Sequence, residues 1–277
     1  IMGRPRDGIM KHMINENLAL LTCRQQSTFN FQHAFVSNKI SERCLVSLQT
    51  SEVNYVFPIY LYPETTTQQT IDQINVRTHN LNPIIVKQIA KQLDLNFTDE
   101  KETTGRSFTP IDVLDYVYAV LHSPAYRSRY TAFLKIDFPR IPLAFNLELF
   151  RSLAKLGGEL VALHLLESLK VNNFITRFTG NGDNSIPKKP IWKDNAIWIN
   201  PTQRFEGVPE DVWNFHIGGY QVCEKWLKDR KGRTLSDDDI THYQRIVVAL
   251  SETIRIMVEI DRVIDEHGGW PGAFSRA

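Results

Sequence analysis

From Ser236 to about His267 the chain places Ile240, Tyr243, Val247, Leu250, Ile254 and Met257 at alternating three- and four-residue steps, with Ile264 seven residues further on. That spacing gives one long helix an apolar face along its whole length. Such a face must be covered, so the fold has to supply other helices for it to pack on. Ser236 is placed to cap the helix, and "DDD" (237–239) puts acids where the helix dipole favours them.

The remaining elements show what surrounds it. Strand-like runs rich in Val, Leu, Ile and aromatics stand at "LALLTCR" (18–24), "HAFVS" (33–37), "CLVSL" (44–48) and "NYVFPIYLY" (54–62), after a short helix at 4–14. Pro58 removes a ladder donor, so its strand belongs at an edge or carries a bulge. Residues 63–82 and 94–107 are polar and separate a helix at 83–92 from the next. "TPID" sets Thr109 as N-cap and Pro110 at the first helical position, and a second helix runs from about Pro124 to Lys135. "NLELFRSLAKLGGELVALHLLESL" (146–169) is helical, with Gly157–Gly158 marking either a kink or the close approach of another backbone. Strands return at 174–178, 190–193 and 196–200, and "YQVCEKWLKDR" is a helix stopped by Gly232. The fold class is α+β: strands near the N-terminus and around 174–200 packed with a helical bundle and a long C-terminal helix. Five segments divide one module: 1–62 β-rich, 63–107 a polar insertion with a short helix, 108–170 a helical core, 171–216 hairpin and strands, and 217–277 a C-terminal helical pair.

A chain of 277 residues that is 42% hydrophobic can bury a large core, but its net charge of +1 supplies no global field for a polyanion. Any nucleic-acid site must be a local patch. Three scattered cysteines, Cys23, Cys44 and Cys223, suit a reducing, cytoplasmic compartment and argue against disulfides and against a zinc site of paired cysteines. There is no secretory signal, and no apolar run approaches the roughly 18 residues of a membrane span. The opening "IMGRPRDGIM" reads like the inside of a longer protein.

Two stretches imitate an adenine methyltransferase. "FTGNG" (178–182) has the glycine pattern that binds S-adenosylmethionine, and "NPTQ" (200–203) approaches the catalytic Asn-Pro-Pro-aromatic loop. A cofactor loop should open a helix, whereas "DNSIPKKPIW" leads to another strand. "NPTQ" also lacks the aromatic that would stack on a flipped base. A hairpin turn explains Gly180, Asn181 and Gly182 better. No Ser-His-Asp order, Walker lysine loop or H-E-x-x-H is present, and His164 in its apolar stretch reads as a core histidine. Catalytic residues and metal ligands are therefore expected to be none.

Basic clusters remain. "EKWLKDRKGR" holds Arg230, Lys231 and Arg233; "PKKP" presents Lys188 and Lys189 on an expected hairpin loop; "RSRY…K…FPR" holds Arg127, Arg129 and Arg140. Phosphate contact needs such side chains, and "RQQ", with Arg24, Gln25 and Gln26, has the groups that read base edges. Taken singly, each cluster is more often an ordinary solvated face, and Arg127 and Arg129, set among aromatics, are equally suited to structural pairing.

"LHSPAYRSRYTAFLKIDFPRIP" (121–142), "LFRSLAKLGGELVALHLLES" and "GVPEDVWNFHIGGYQVCEKWLKDRKGRTLSDDDITHYQRIVVALSETI" closely resemble the C-terminal region of type ISP restriction–modification enzymes and related large adenine-specific DNA methyltransferases. The opening "RPRDGIMKHM…NLALLTCRQ" and "YVFPIYLYP" resemble the join to the family's methyltransferase domain, and by the same resemblance the variable part is mostly 63–107. The resemblance implies a target-recognition domain that binds double-stranded DNA and positions it for N6-adenine methylation by upstream methyltransferase and translocase domains of the same polypeptide. It implies no cofactor in this segment, and S-adenosylmethionine, ATP and Mg for the parent enzyme. The eleven basic and glutamine residues named above are DNA-contact candidates from charge and placement. Two other readings stay open: a self-contained S-adenosylmethionine-dependent methyltransferase, and a helical coupling domain that does not touch DNA.

Overall fold

The computed structural model describes residues 7–26, 30–42, 52–63, 77–102 and 105–276. The expected strand at 44–48, Cys44, the helix start at 4–6 and residues 64–76 of the polar insertion lie outside them. The chain forms two compact units, residues 1–161 with 257–277, and residues 162–256.

In the first unit a short helix α1 (Asp7–Met10) precedes three antiparallel strands, β1 (Ala19–Cys23), β2 (Ala34–Ser37) and β3 (Asn54–Pro58), in the order β2-β1-β3. Ala19, Leu21 and Cys23 alternate inward along β1, and Leu21 faces Phe35 on one side and Val56 on the other. Pro58 ends the edge strand β3, where its missing donor leaves no gap in the ladder. Beyond Ile59, β4 (Tyr60–Leu61) pairs with β5 (Thr78–His79).

Helix α2 (Pro83–Leu93) starts where Asn82 accepts from the Ile84 N–H and ends at Asp94 in the left-handed region. The polar stretch after it is more than a spacer: β6 (Asn96–Phe97) and β7 (Ser107–Phe108) pair in parallel within it. Helix α3 (Pro110–His122) opens on the expected cap, in which the Thr109 hydroxyl accepts from Asp112 N–H while the Asp112 carboxylate accepts from Thr109 N–H. Such a capping box stabilises a helix by about 1 kcal/mol. The single helix expected over 124–135 is broken at Tyr130 into α4 (Pro124–Arg129) and α5 (Thr131–Leu134), because Tyr130 leaves helical geometry at φ −104° and ψ 17°.

Helix α6 (Leu147–His164) runs unbroken through Gly157 and Gly158. The glycines mark a close approach, not a kink: a Cβ on Gly157 would sit 1.8 Å from the Asp115 carbonyl oxygen of α3. Around this crossing Leu114, Tyr116, Phe150, Leu153 and Leu160 are buried.

The second unit is built on four antiparallel strands, β8 (Arg177–Thr179), β9 (Ile191–Lys193), β10 (Ala196–Trp198) and β11 (Arg204–Glu206), in the order β8-β11-β10-β9. β8 and β9, consecutive in sequence, are thus at opposite edges of this sheet. The segment between them is a crossover rather than the expected hairpin, so neither Gly180–Gly182 nor Lys188–Lys189 occupies a hairpin turn. There follow α7 (Glu210–Trp213), the hairpin β12 (His216–Ile217) and β13 (Tyr220–Gln221), α8 (Val222–Lys228) and α9 (Asp237–Glu266), after which α10 (Gly269–Gly272) returns to the first unit. Phe205, Ile197 and Ile186 from the sheet side meet Cys223, Leu227, Tyr243 and Val247 from α8 and α9 in one core. Burying each of these large side chains stabilises by roughly 1.5–3 kcal/mol. The periodic face of α9 is therefore core, and its Ser236–Asp239 cap forms as expected.

Candidate nucleic-acid interface

Two basic clusters far apart in sequence meet at the surface of the second unit. The loop after α8 turns back on itself, with Gly232 at φ +81°. It then runs antiparallel to the 184–186 segment: Ile186 N–H donates to Arg233 O at 3.0 Å, Gly232 N–H to Ile186 O at 2.8 Å, and Leu235 N–H to Asn184 O at 3.0 Å. Ile186 and Leu235 are buried beneath, anchoring both loops in the core. Lys188, Lys231 and Arg233 are exposed along this seam. Lys189 lies 3.1 Å from Glu224. Arg230 is held more firmly: its guanidinium stacks 3.4 Å from the Trp226 ring centroid, donates to Trp226 O at 3.1 Å and approaches Asp239 at 3.5 Å. It positions the turn, while Lys188, Lys231 and Arg233 face solvent.

The two methyltransferase-like motifs are also brought together, and they explain each other. Gly180, at φ +100°, lies so close to "NPTQ" that a Cβ would meet Thr202 O at 1.9 Å. A Cβ on Gly182 would meet the Gln203 side chain at 2.5 Å. Gln203 is buried; its Oε1 accepts from Asn184 N–H at 2.8 Å and from Asn200 Nδ2 at 2.9 Å, and its Nε2 donates to Asn184 Oδ1 at 2.6 Å. Asn200 Nδ2 also donates to Ser185 O at 3.0 Å. The space above the glycines is filled by this clasp, so the pattern serves packing and not a cofactor. Its effect is to fix the base of the loop that carries Lys188 and Lys189.

In the first unit the segment after β1 docks on the loop after α5. Arg24 pairs with Asp137 at 2.9 Å, Gln25 Nε2 donates to Ile136 O at 3.4 Å, and Gln26 N–H donates to Lys135 O at 3.3 Å. A hydrogen bond from Phe138 N–H, and then Arg24, hold the Asp137 carboxyl below the usual carboxylate range. Arg24 and Gln25 are exposed beside a cleft of about 520 Å³ that Gln26, Glu52, Val53, Tyr55 and Lys135 also line. Gln26 itself is 5% exposed, which withdraws its side chain from any groove. Arg129 and Arg140 are exposed.

Arg127 is not a surface residue in this sense. Its Nε donates to Leu121 O at 2.6 Å, and burial pushes the guanidinium down to about 10 despite the opposing pull of Tyr118 and Asp261. Asp261 accepts from Ala125 N–H at 2.9 Å and from the Ser123 hydroxyl, completing the N-terminus of α4. The aromatic and proline-rich stretch at 121–142 is thus mainly structural, with Tyr126 OH donating to Arg140 O at 2.9 Å and Phe138 set edge-on to Tyr55. His164 is likewise structural, its Nε2 2.9 Å from the Thr253 hydroxyl.

The sequence reading missed the outer face of the four-stranded sheet. Trp198 and Arg204 are cross-strand partners, and Arg204 stacks 4.4 Å above the indole while pairing with Glu206 at 2.5 Å. Arg177 joins Glu206 at 3.3 Å. The alternation in "RFE" was the available signal, hidden because the strand is three residues long.

Exposed cations on paired loops thus stand on an α+β scaffold whose cofactor-like glycines are filled by its own side chains. The chain belongs to the family of the Type ISP C-terminal specificity domain, whose model matches residues 1–259. Among solved structures it is similar to the cryoEM structure of a DrdV–DNA complex, at 22% identity and TM-score 0.62 over 94% of this chain and 25% of that one. It is similar also to the ATP-dependent Type ISP restriction–modification enzyme LlaBIII bound to DNA, at 18% identity and TM-score 0.64 over 90% of this chain and 16% of that one. A nuclease-deletion mutant of the Type ISP enzyme LlaGI with a DNA substrate mimic aligns at 20% identity and TM-score 0.56, over 89% of this chain and 21% of that one. These likenesses show the fold, and the chain spans a quarter or less of each relative's length. No curated protein matches. No helix among the described residues is long and apolar enough to cross a membrane.

Proposed function

We propose that this specificity domain reads a short sequence in double-stranded DNA and holds the duplex for a methyltransferase domain of the same polypeptide. The family and the DNA-bound state of its structural neighbours support this reading. The observation that carries it is the seam joining Ile186 to Arg233, beside which Lys188, Lys231 and Arg233 are exposed; in this reading they contact phosphates. Lys189 and Arg230 complete that patch. Arg24 and Gln25, with Arg129 and Arg140 on the same unit, offer a second set of contacts, Gln25 having the amide that pairs with an adenine edge. In the parent enzyme, ATP, Mg and S-adenosylmethionine would serve the upstream translocase, nuclease and methyltransferase domains.

Selection of randomised duplexes by the purified chain tests the reading, followed by the salt dependence of binding. An enriched motif of a few base pairs is the expected result. In the triple variant K188A/K231A/R233A the slope of log K against log[salt] should become shallower by about 2.7, at about 0.9 per phosphate contact. No enriched motif and no binding would favour the coupling role instead, and binding with an unchanged slope would place the phosphate contacts away from this seam.

A further inference from the structure

The first unit contains a buried cluster outside the proposed DNA contacts. Cys23 at the end of β1, His33 just before β2 and Glu52 just before β3 bring one thiol, one imidazole and one carboxylate together, with their ligand atoms all within 4.8 Å of one another. All three are buried: Cys23 is 2% exposed, His33 0% and Glu52 8%. His33 Nε2 lies 3.2 Å from Glu52 Oε2, near enough for an ion pair. A ring nitrogen, a carboxylate oxygen and a thiol held this close in a buried site are donors that can share a third point.

We propose that Cys23, His33 and Glu52 bind a zinc ion. Sulfur, nitrogen and oxygen donors from three separate segments are a zinc set, and a water or the second Glu52 oxygen completes a tetrahedron. Charge supports the assignment. Zinc with one thiolate and one carboxylate is neutral, so the occupied site buries no net charge, which matters beside the nearby cationic Arg127. Binding balances simply: the Cys23 thiol releases one proton, neutral His33 gives its Nε2 lone pair, and ionised Glu52 gives an oxygen. The proton left on the imidazole moves to Nδ1, and the long 3.4 Å contact from Gln32 N–H gives way. The ion would staple the ends of all three strands of the sheet and fix the start of the "RQQ" segment, since Arg24 follows Cys23 directly.

Metal content of the full chain decides the matter. After incubation with zinc and desalting, mass spectrometry should find one zinc per chain. Titration with cobalt should give a thiolate-to-metal charge-transfer band and the visible bands of a tetrahedral ion. Cys23→Ser should abolish the charge-transfer band, whereas Cys223→Ser, in the core of the second unit, should retain it. Less than a tenth of an equivalent of zinc in the wild-type chain, or a band that persists in Cys23→Ser, would overturn the proposal. The wild-type result stands whether or not a variant folds, and it is independent of whether the chain binds DNA.

Discussion

Replacing Gly157 with alanine tests how closely α3 and α6 are packed. The new Cβ would sit 1.8 Å from the Asp115 carbonyl oxygen, 2.6 Å from its carbon and 3.1 Å from its Cα. Those are backbone atoms, which no rotamer change can move. Restoring even a tight 3.0 Å contact requires the helices to part by about 1.2 Å. That would open the layer containing Leu114, Leu153 and Leu160, all buried. Two effects oppose each other: alanine gains about 1 kcal/mol in helix propensity, while overpacking a close-packed core costs about 1–3 kcal/mol and more when backbone meets backbone. The expected net loss is about 2 kcal/mol. Urea unfolding should show a lower midpoint with an unchanged slope. Gly158→Ala meets only the Asp115 carboxylate, at 2.9 Å, which can rotate away, so it should lose less. Gly8→Ala, helical and with nothing within 4 Å, should gain up to about 1 kcal/mol. Stabilisation of Gly157→Ala by about 1 kcal/mol, the value of propensity alone, would refute the crossing.

Asp115 supports a pH prediction: burial, and then the charge of Asp112, raise its carboxyl from 3.8 to about 7. The folded state therefore penalises the charged form, so the penalty is absent below about pH 4, grows between pH 4 and 7, and is complete above. Asp115→Asn should match the wild type in thermal unfolding at pH 4 and exceed it at pH 8, by up to about 4 kcal/mol; equal stability at pH 8 would show the carboxylate to be solvated. Arg127→Met should lower stability by about 1–3 kcal/mol, because the Leu121 carbonyl loses its donor. It should leave the salt slope of DNA binding unchanged, and a shallower slope would return Arg127 to the surface.

What the sequence revealed follows from the range over which each signal acts. The α9 periodicity and the Thr109–Asp112 cap are local, and both stand in the structure. The glycine pair in α6 was narrowed to two physical causes, between which only the position of Asp115 could choose. The turn at 180–182 was misread because strand order is a long-range property: a glycine-rich link between neighbouring strands looks the same whether those strands pair or lie at opposite edges. Arg127 and Arg129 are two positions apart on one short helix, and the path of α9 past α4, which carries Asp261 to it, decides which is half-buried and which exposed. Cys23, His33 and Glu52 lie 10 and 19 residues apart in sequence, spacings that match no compact metal motif.

The clasp of Asn184, Asn200 and Gln203 has a consequence for how such a domain can change. The loop is founded at one end by buried Ile186 and at the other by buried Pro190, while Pro187, Lys188 and Lys189 project between them. Foundation and tip are thus separate sets of residues. Substitutions at the tip leave the clasp untouched, and the clasp holds the tip in place whatever side chains it carries. A surface loop organised in this way can acquire a new preference in single steps without passing through an unfolded ancestor.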